Sequence, residues 1–248
     1  MKSLIVIPAR LESTRLPQKL LLNETGRPLI EHTYESASKA KVTSDILVAA
    51  DDARIVDAVT GFGGRAELTR PDHNSGTDRL AEIAGRYPDV ELLINVQGDE
   101  PEIDPADIDL AAGLLLNNPD AEMSTLASPL NDAARIEDPA CVKVVFDARG
   151  RAMYFSRSPI PHPRDGITSV HSQSTTTWHQ HVGLYVYRRD ALLQLAAASR
   201  PPAEVAESLE QLRALHLGMT ILVGVTPRHA SGIDTLADYQ AFVSRTGT

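Results

Sequence analysis

"SLIVIPARLESTRLPQKLL", residues 3–21, carries the decision about the fold. Its opening, Leu4 to Ile7, is an unbroken aliphatic and β-branched run closed by Pro8. It is too short for a buried helix and does not alternate with polar residues. It therefore predicts a strand covered on both faces, the kind found in parallel sheets. The residues behind it read as a loop, in which Arg10, Ser13, Thr14, Arg15 and Lys19 stand among prolines and small residues. In an open parallel sheet, ligands bind beyond the carboxyl ends of the strands, and this loop sits at such an end. The whole chain carries a formal net charge of −9. Cations gathered on one loop of an acidic chain point to a polyanion, and cations with backbone amides there suit a triphosphate.

The segments downstream extend the pattern. "PLIEHTYESASKA", residues 28–40, has apolar residues at helical spacing, and "SDILVAADD", 44–52, is a second buried strand ending in two aspartates. "ARIVDAVTGFGG", 53–64, reads as a helix stopping at glycine. "GTDRLAEIAGRY", 76–87, is an amphipathic helix, followed by the strand "ELLINVQGDEP", 91–101. A helix, "IDLAAGLLLNN", and a strand, "AEMSTLASPL", complete the first half. This alternation predicts βαβ units, a mostly parallel sheet and helices on both faces. From about residue 140 the rhythm changes to hairpins. "ACVKVVFDARGRAMYFSRSPIP" reads as two strands around the turn "DARG", and "HVGLYVYRRD" as a further strand. "AEVAESLEQLRALHLG", 203–218, reads as one helix ended by Gly218, and "TILVGVTP" as a last strand. The Ser/Thr-rich "GITSVHSQSTTTW", 166–178, reads as a mobile loop.

The 248 residues, 42% hydrophobic and 23% charged, favour one large α/β domain of globular composition. With a single cysteine, Cys141, neither an intramolecular disulfide nor a cysteine-based zinc site is possible. Cys141 opens an apolar run and reads as a small buried hydrophobe. No apolar stretch reaches the ~20 residues of a membrane span, and no signal-peptide pattern precedes "SLIVIPA", so the expectation is a cytoplasmic protein without membrane insertion. The acidic balance argues against general nucleic-acid binding.

Several motifs bear on chemistry. "GFGGRA", Gly61 to Ala66, fits G-x-G-x-x-A, but it follows a helix instead of opening one, so its glycines read as cap and turn residues. No P-loop is present. His179 and His181 stand two apart on a predicted strand without a clear third ligand nearby. In "NVQGDEP" an apolar strand runs into Asp99 and Glu100, a position at which carboxylates commonly hold a hard cation; an acidic turn is the alternative. Asp234 precedes Thr235 and can serve equally as a helix cap. Ser75, Gly76, Thr77 and Asp78 begin a helix, where N-capping residues are expected in any case.

The stretches "IPARLESTRLPQKL", "TRPDHNSGTDRLAE", "NVQGDEP", "VKVVFDARGRAMYFSRSPIP", "HVGLYVYR", "ESLEQLRAL" and "GIDT" occur in this order. Together they resemble the bacterial CMP-Kdo synthetases, the 3-deoxy-D-manno-octulosonate (Kdo) cytidylyltransferases, from near the first residue to about Tyr239. The N-acylneuraminate and spore-coat-type cytidylyltransferases share only part of the opening. The resemblance implies a Rossmann-like nucleotide-diphospho-sugar transferase fold in a single domain over 1–248. Residues 1–130 would mainly bind nucleotide, and 140–230 the sugar and a second subunit of a homodimer. It implies transfer of CMP from CTP to Kdo, with release of pyrophosphate, for lipopolysaccharide biosynthesis. A related acid such as 8-amino-Kdo, or a non-catalytic nucleotide-binding protein of the same fold, are the other readings.

The match assigns Pro8, Ala9, Arg10, Ser13, Arg15 and Lys19 to the nucleotide, with Ser75, Gly76 and Arg79 beside it and Gln97 between both substrates. It assigns Asp99 and Asp234 to Mg²⁺, and Arg10, Lys19, Asp99 and Asp234 together to catalysis. Gln97, Arg157, Arg164, His181, Tyr185, Glu210 and Gln211 fall on its sugar-side motifs. Three positions depart from the pattern. Gln18 stands where glycine is frequent, Glu12 stands where a small residue is common, and "IPHPRD" differs just before Arg164.

Overall fold

A computed structural model describes residues 1–43, 45–73, 75–164, 178–227 and 232–246. The loop expectation for 166–177 therefore lies outside the described residues. The first half follows the predicted alternation. Strands β1 (Ser3–Ala9), β2 (Ile46–Ala50), β3 (Ala66–Leu68) and β4 (Leu92–Asn95) are parallel, in the spatial order β3-β2-β1-β4. Between them run α1 (Leu29–Ala37), α2 (Ala53–Gly61) and α3 (Gly76–Arg86). The reason is visible residue by residue. Ile5 and Ile7, Val48 and Ala50, Leu92 and Ile94 point to one face, against Ile30 of α1 and Ile55 and Val59 of α2. Leu4 and Val6, Leu47 and Ala49, and Leu93 point to the other, against Leu80, Ile83 and Ala84 of α3. Because successive side chains of a strand alternate, a strand apolar at every position must be covered on both sides.

Helix starts are fixed locally. Asp52 accepts a hydrogen bond from Arg54 N, Ser75 from Asp78 N and Asp104 from Ala106 N, each side chain satisfying an amide that the first turn leaves unpaired. α2 ends at Gly61, and Gly63 beyond it has φ +84°, so "GFGGRA" is a helix exit as the sequence indicated.

After α4 (Pro105–Asn117) the sheet continues as β5 (Met123–Leu130) and, beyond the short α5 (Ala133–Glu137), the antiparallel hairpin β6 (Lys143–Phe146) and β7 (Ala152–Ser156). β8 (Trp178–Arg188) lies antiparallel between β4 and β5, and β9 (Ile221–Val225) pairs parallel with β5, so the sheet is mixed. α6 (Arg189–Ala197) packs Leu192 and Leu195 on the α3 side. The terminal α9 (Leu236–Thr246) packs Tyr239 and Phe242 against Leu16 and Leu29.

One expectation is corrected. "AEVAESLEQLRALHLG" forms two short helices, α7 (Pro202–Glu207) and α8 (Gln211–His216), broken at Ser208, which is left-handed at φ 51°. Glu207 explains the break. Its carboxylate accepts from Ser156 Oγ (2.8 Å) and Arg157 N (2.7 Å), and its carbonyl accepts from Arg157 Nε (2.7 Å). The end of β7 thus takes the backbone acceptor that a continuous helix would have used.

Candidate active site

The cationic loop after β1 and the "QGD" segment meet at the carboxyl ends of β1 and β4, as a parallel sheet requires. Gly98 makes the approach possible. A Cβ there would lie 3.1 Å from Pro8 O, and its carbonyl accepts from Thr33 Oγ1 of α1 (2.9 Å). The result is a cleft of about 510 Å³, bordered by Arg10, Ser13, Arg15 and Lys19 from the loop, Ser75 and Gly76 from the start of α3, and Gln97, Asp99, Glu210 and Asp234. The amino end of α3, with its partial positive charge, faces the same space.

The centre of this lobe is Lys19. Its ammonium donates to Asp99 Oδ2 (2.5 Å), Ile233 O (2.9 Å) and Asp234 Oδ1 (3.1 Å), and Arg15 Nη2 lies 2.9 Å from the same Asp234 oxygen. Asp234 is therefore not the cap of the last helix. Thr235 caps it, accepting from Asp238 N (3.2 Å), while Asp238 accepts from Thr235 N (2.8 Å), a reciprocal capping arrangement. That frees the Asp234 carboxylate to face Asp99 across Lys19. Arg10 is exposed and forms no ion pair among the described residues.

Behind Asp99, Glu100 is buried, 7% exposed, and burial with the neighbouring Asp99 charge pushes its carboxyl up to about 8. The arrangement is oxygen-rich: two carboxylates and a backbone carbonyl converge on one cationic group. That donor set suits a hard divalent ion with phosphate and water completing the shell. Among the described residues no cluster of three or more His, Cys, Asp or Glu side chains competes for such an ion.

A second lobe of about 230 Å³ shares Gly76, Gln97 and Glu210 with the first. It is lined with polar groups held on β8: His181, Tyr185 and Tyr187, with Asn95, Thr77, Ser208 and Gln211 around them. Their presentation depends on a bulge. Thr125 of β5 pairs with Tyr185 but Leu126 with Val182, so Gly183 and Leu184 are extra residues in β8. The carbonyls this turns out of the ladder are taken up by Gln97 Nε2, which donates to Gly183 O (3.3 Å), and Thr125 Oγ1, which reaches Leu184 O (2.8 Å). His181 and Tyr185 rings stand 5.3 Å apart, and Tyr185 stacks on Tyr187 at 5.8 Å. Burial raises both phenols, so each keeps its proton and remains a donor. Asn95 Oδ1 and Glu210 Oε2 are buried acceptors without a hydrogen-bond partner among the described residues, a costly state that a ligand hydroxyl would relieve.

Five residues singled out in the sequence stand elsewhere, one of them Ala9, which is fully buried at the end of β1 and does not line the cleft. Arg157 donates to Glu207 O (2.7 Å) and Pro139 O (2.9 Å) and is not among the residues lining either lobe; it holds the turn that carries Ser208 to Glu210. Arg164 is exposed, also away from both linings. Arg79 is fully buried behind the first lobe instead of lining it. His179 stacks edge-on to Phe146 (4.9 Å), outside both linings. Conversely, Asn95 and Tyr187 line the second lobe without having been singled out in the sequence, and Thr77 lines it from the segment that begins α3. Tyr187 was within reach, because two residues from Tyr185 on one strand share a face.

The departures also find places. Gln18 has φ 52°, the left-handed conformation that glycine adopts without strain. Glu12 is exposed at the rim of the first lobe.

The cytidylyltransferase family profile matches residues 4–221. A 3-deoxy-manno-octulosonate cytidylyltransferase of Rhodopirellula baltica is 50% identical over 247 residues, covering 99% of this chain and 98% of its own. One from Geobacter sulfurreducens is 46% identical, with 97% of each chain covered. The solved structure of a CMP:2-keto-3-deoxy-manno-octonic acid synthetase complexed with CTP superposes with a TM-score of 0.92 at 40% identity, over 99% of this chain and 98% of that one. A glucose-1-phosphate thymidylyltransferase of Bacillus anthracis, 14% identical with a TM-score of 0.69, shares the fold. With the sheet, the two-lobed cleft and the matched span in agreement, the chain belongs to the cytidylyltransferase family, among the 3-deoxy-manno-octulosonate cytidylyltransferases.

Proposed function

We propose that the cationic lobe takes the triphosphate of CTP and the hydroxyl-rich lobe takes Kdo, so that the enzyme joins them into CMP-Kdo. The observation that carries this division is the shared border. Gly76, Gln97 and Glu210 line both lobes, so a nucleotide in one and a sugar acid in the other meet there. In the reaction, the anomeric hydroxyl oxygen of Kdo bonds to the α-phosphorus, and the bond from that phosphorus to the bridging oxygen of the β-phosphate breaks. Pyrophosphate leaves with the bond electrons, and the hydroxyl proton goes to solvent.

Charge builds on the phosphoryl oxygens and the leaving group, so fixed cations aimed at them supply most of the acceleration. Arg10 and Arg15 can each bridge two phosphate oxygens, and Lys19 acts as a point charge. Ser13, Ser75 and the backbone of Pro8 and Ala9 complete the nucleotide side. Asp99 and Asp234 are the residues that would hold Mg²⁺, which supplies charge neutralisation of the triphosphate when bound. Gln97, His181, Tyr185, Glu210 and Gln211 would meet the sugar hydroxyls. Arg157 supports this lobe through the Glu207–Glu210 turn, and it would meet the sugar carboxylate only by giving up its bonds to Glu207 O and Pro139 O. Residues 1–130 thus supply mainly the nucleotide side and 140–230 mainly the sugar side. Assembly as a cytoplasmic homodimer belongs to the same reading, and Arg164, exposed beyond the hairpin, is available to such an interface or to the sugar.

Pyrophosphate release measured with four nucleoside triphosphates crossed against Kdo, its 8-amino analogue and a neuraminic acid tests the assignment. Release with CTP and Kdo is the expected result. Preference for the 8-amino acid would reassign the sugar lobe. Release with CTP and none of the acids would refute it.

A further inference from the structure

Asp51, at the end of "ILVAADD", has no place in the scheme above, yet it touches the phosphate loop directly. Asp51 N donates to Ala9 O (3.2 Å), carrying the β1–β2 pairing one residue past the strands. Its Oδ1 then accepts from Leu11 N (2.9 Å), and its Oδ2 faces Arg79 Nη2 at 3.7 Å. Arg79 has no exposed surface. Its Nη1 donates to Thr69 Oγ1 and to Arg70 O (3.2 Å), while Nε and Nη2 have no hydrogen-bond partner among the described residues. Among the described residues Asp51 is the carboxylate that pairs with this guanidinium.

Leu11 is the buried point of the loop, 3% exposed, between exposed Arg10 and exposed Glu12. Holding its amide fixes the backbone from which Arg10 and Ser13 reach the cleft on either side. We propose that Asp51, with Arg79 as its buried counter-ion, is the positioning residue of the triphosphate loop, so that Arg79 acts on the nucleotide through Asp51 and Leu11 rather than by touching it. The inference rests on the reading of this lobe as the CTP site. A loop already held in its binding conformation loses less freedom when the ligand arrives, and that saving appears in nucleotide affinity. A half-buried carboxylate engaged on two sides at once, by an amide and by a desolvated cation, is also hard to displace. Burial lowers the Arg79 pKa and the Asp51 charge raises it, in keeping with a counter-ion held for its charge.

The test compares Asp51→Ala with Asp51→Asn in steady-state turnover on CTP and Kdo, with melting curves for both. Asp51→Ala should raise KM for CTP about 10- to 100-fold, the size of one hydrogen bond to a charged group, with KM for Kdo within about threefold. Asp51→Asn, which keeps an acceptor for Leu11 N, should recover most of that loss even if its melting temperature falls. A merely structural residue would reduce the active fraction, and so kcat, without moving KM for CTP. Hydrogen exchange on the wild-type protein without nucleotide is independent of whether the variants fold or turn over. The Leu11 amide should be protected far more than those of Glu12 and Ser13. Leu11 exchanging as fast as Glu12, or a CTP KM within threefold of wild type in Asp51→Ala, overturns the proposal. A wild-type enzyme with no CTP-dependent turnover would instead overturn the assignment of the lobe, and the exchange result would still stand or fall by itself.

Discussion

Replacing Lys19 with methionine keeps the aliphatic stem and removes the ammonium that links Asp99, Asp234 and Ile233 O. Lys19 is 13% exposed, but Asp99 is 25% and Asp234 40% exposed, so both carboxylates regain water when the cation goes. Hydrogen bonds to charged groups contribute ~1.5–3 kcal/mol each when fully buried, and discounting three of them for this exposure leaves a loss of about 1–3 kcal/mol. For a chain of this size that lowers Tm by about 2–10 °C. The kinetic loss should be larger. Removing one preorganised group that stabilises developing charge lowers kcat ~10²–10³-fold, or ~2.7–4 kcal/mol. The variant should also gain a response to magnesium. In the wild type the ammonium sits between the two carboxylates, whereas in Lys19→Met no cation stands between them and Arg15 remains on the Asp234 side. Magnesium at about ten times its Kd then stabilises the variant by about 1.4 kcal/mol, a few degrees in Tm, and the nucleotide-free wild type by less. Pyrophosphate release and calorimetric melting with and without magnesium measure both effects. Turnover within threefold of wild type, or equal magnesium shifts in the two proteins, would refute the reasoning.

If Asp99 and Asp234 act on one ion, Asp99→Asn and Asp234→Asn should each remove most activity, and the double variant should lose little more; wild-type magnesium dependence in Asp234→Asn would take it out of the site. Gln18→Gly removes a left-handed glutamine worth ~1–2 kcal/mol of strain, against ~0.5–1 kcal/mol of added chain entropy. The net gain of about 0.5–1 kcal/mol should raise Tm by about 1–4 °C, with turnover within about twofold of wild type. Glu100, protonated in the folded protein up to about pH 8 but ionised above about 4.5 once unfolded, makes the wild type lose stability as pH rises through that window. Glu100→Gln mimics the neutral form, so without magnesium or nucleotide its melting temperature should exceed the wild type's by a margin that widens from pH 5 to 8 and then levels off.

The parallel half of the sheet was legible because Leu4 to Ile7 and Ile46 to Ala50 are apolar at every position, which only burial on both faces explains. The break at Ser208 was not. "AEVAESLEQLRALHLG" keeps helical periodicity without an internal glycine or proline, and what breaks it is Arg157 and Ser156 seizing Glu207 from another part of the chain. The insertion of β8 between β4 and β5, and its bulge at Gly183 and Leu184, are likewise set by pairing that no local pattern records. The site divides in the same way. The cations of the first loop stand out in an acidic chain, but Lys19 meets Asp99 and Asp234 across 80 and 215 residues of sequence, and only the family motifs joined those positions beforehand. Arg79, on the helix that begins "GTDR", is placed beside the nucleotide by the family motifs. Its burial follows from Thr69 and Asp51, at the ends of neighbouring strands, closing over it.

The central claim is that one cleft transfers CMP from CTP to the anomeric oxygen of Kdo. Phosphorus NMR of the protein with equimolar CTP, Kdo and magnesium tests it most directly, because ester and pyrophosphate are seen in one spectrum. The expected spectrum shows a phosphodiester resonance of CMP-Kdo rising in step with pyrophosphate, one for one, and neither appearing when Kdo is omitted. Pyrophosphate accompanied by free CMP, without the ester, would contradict it.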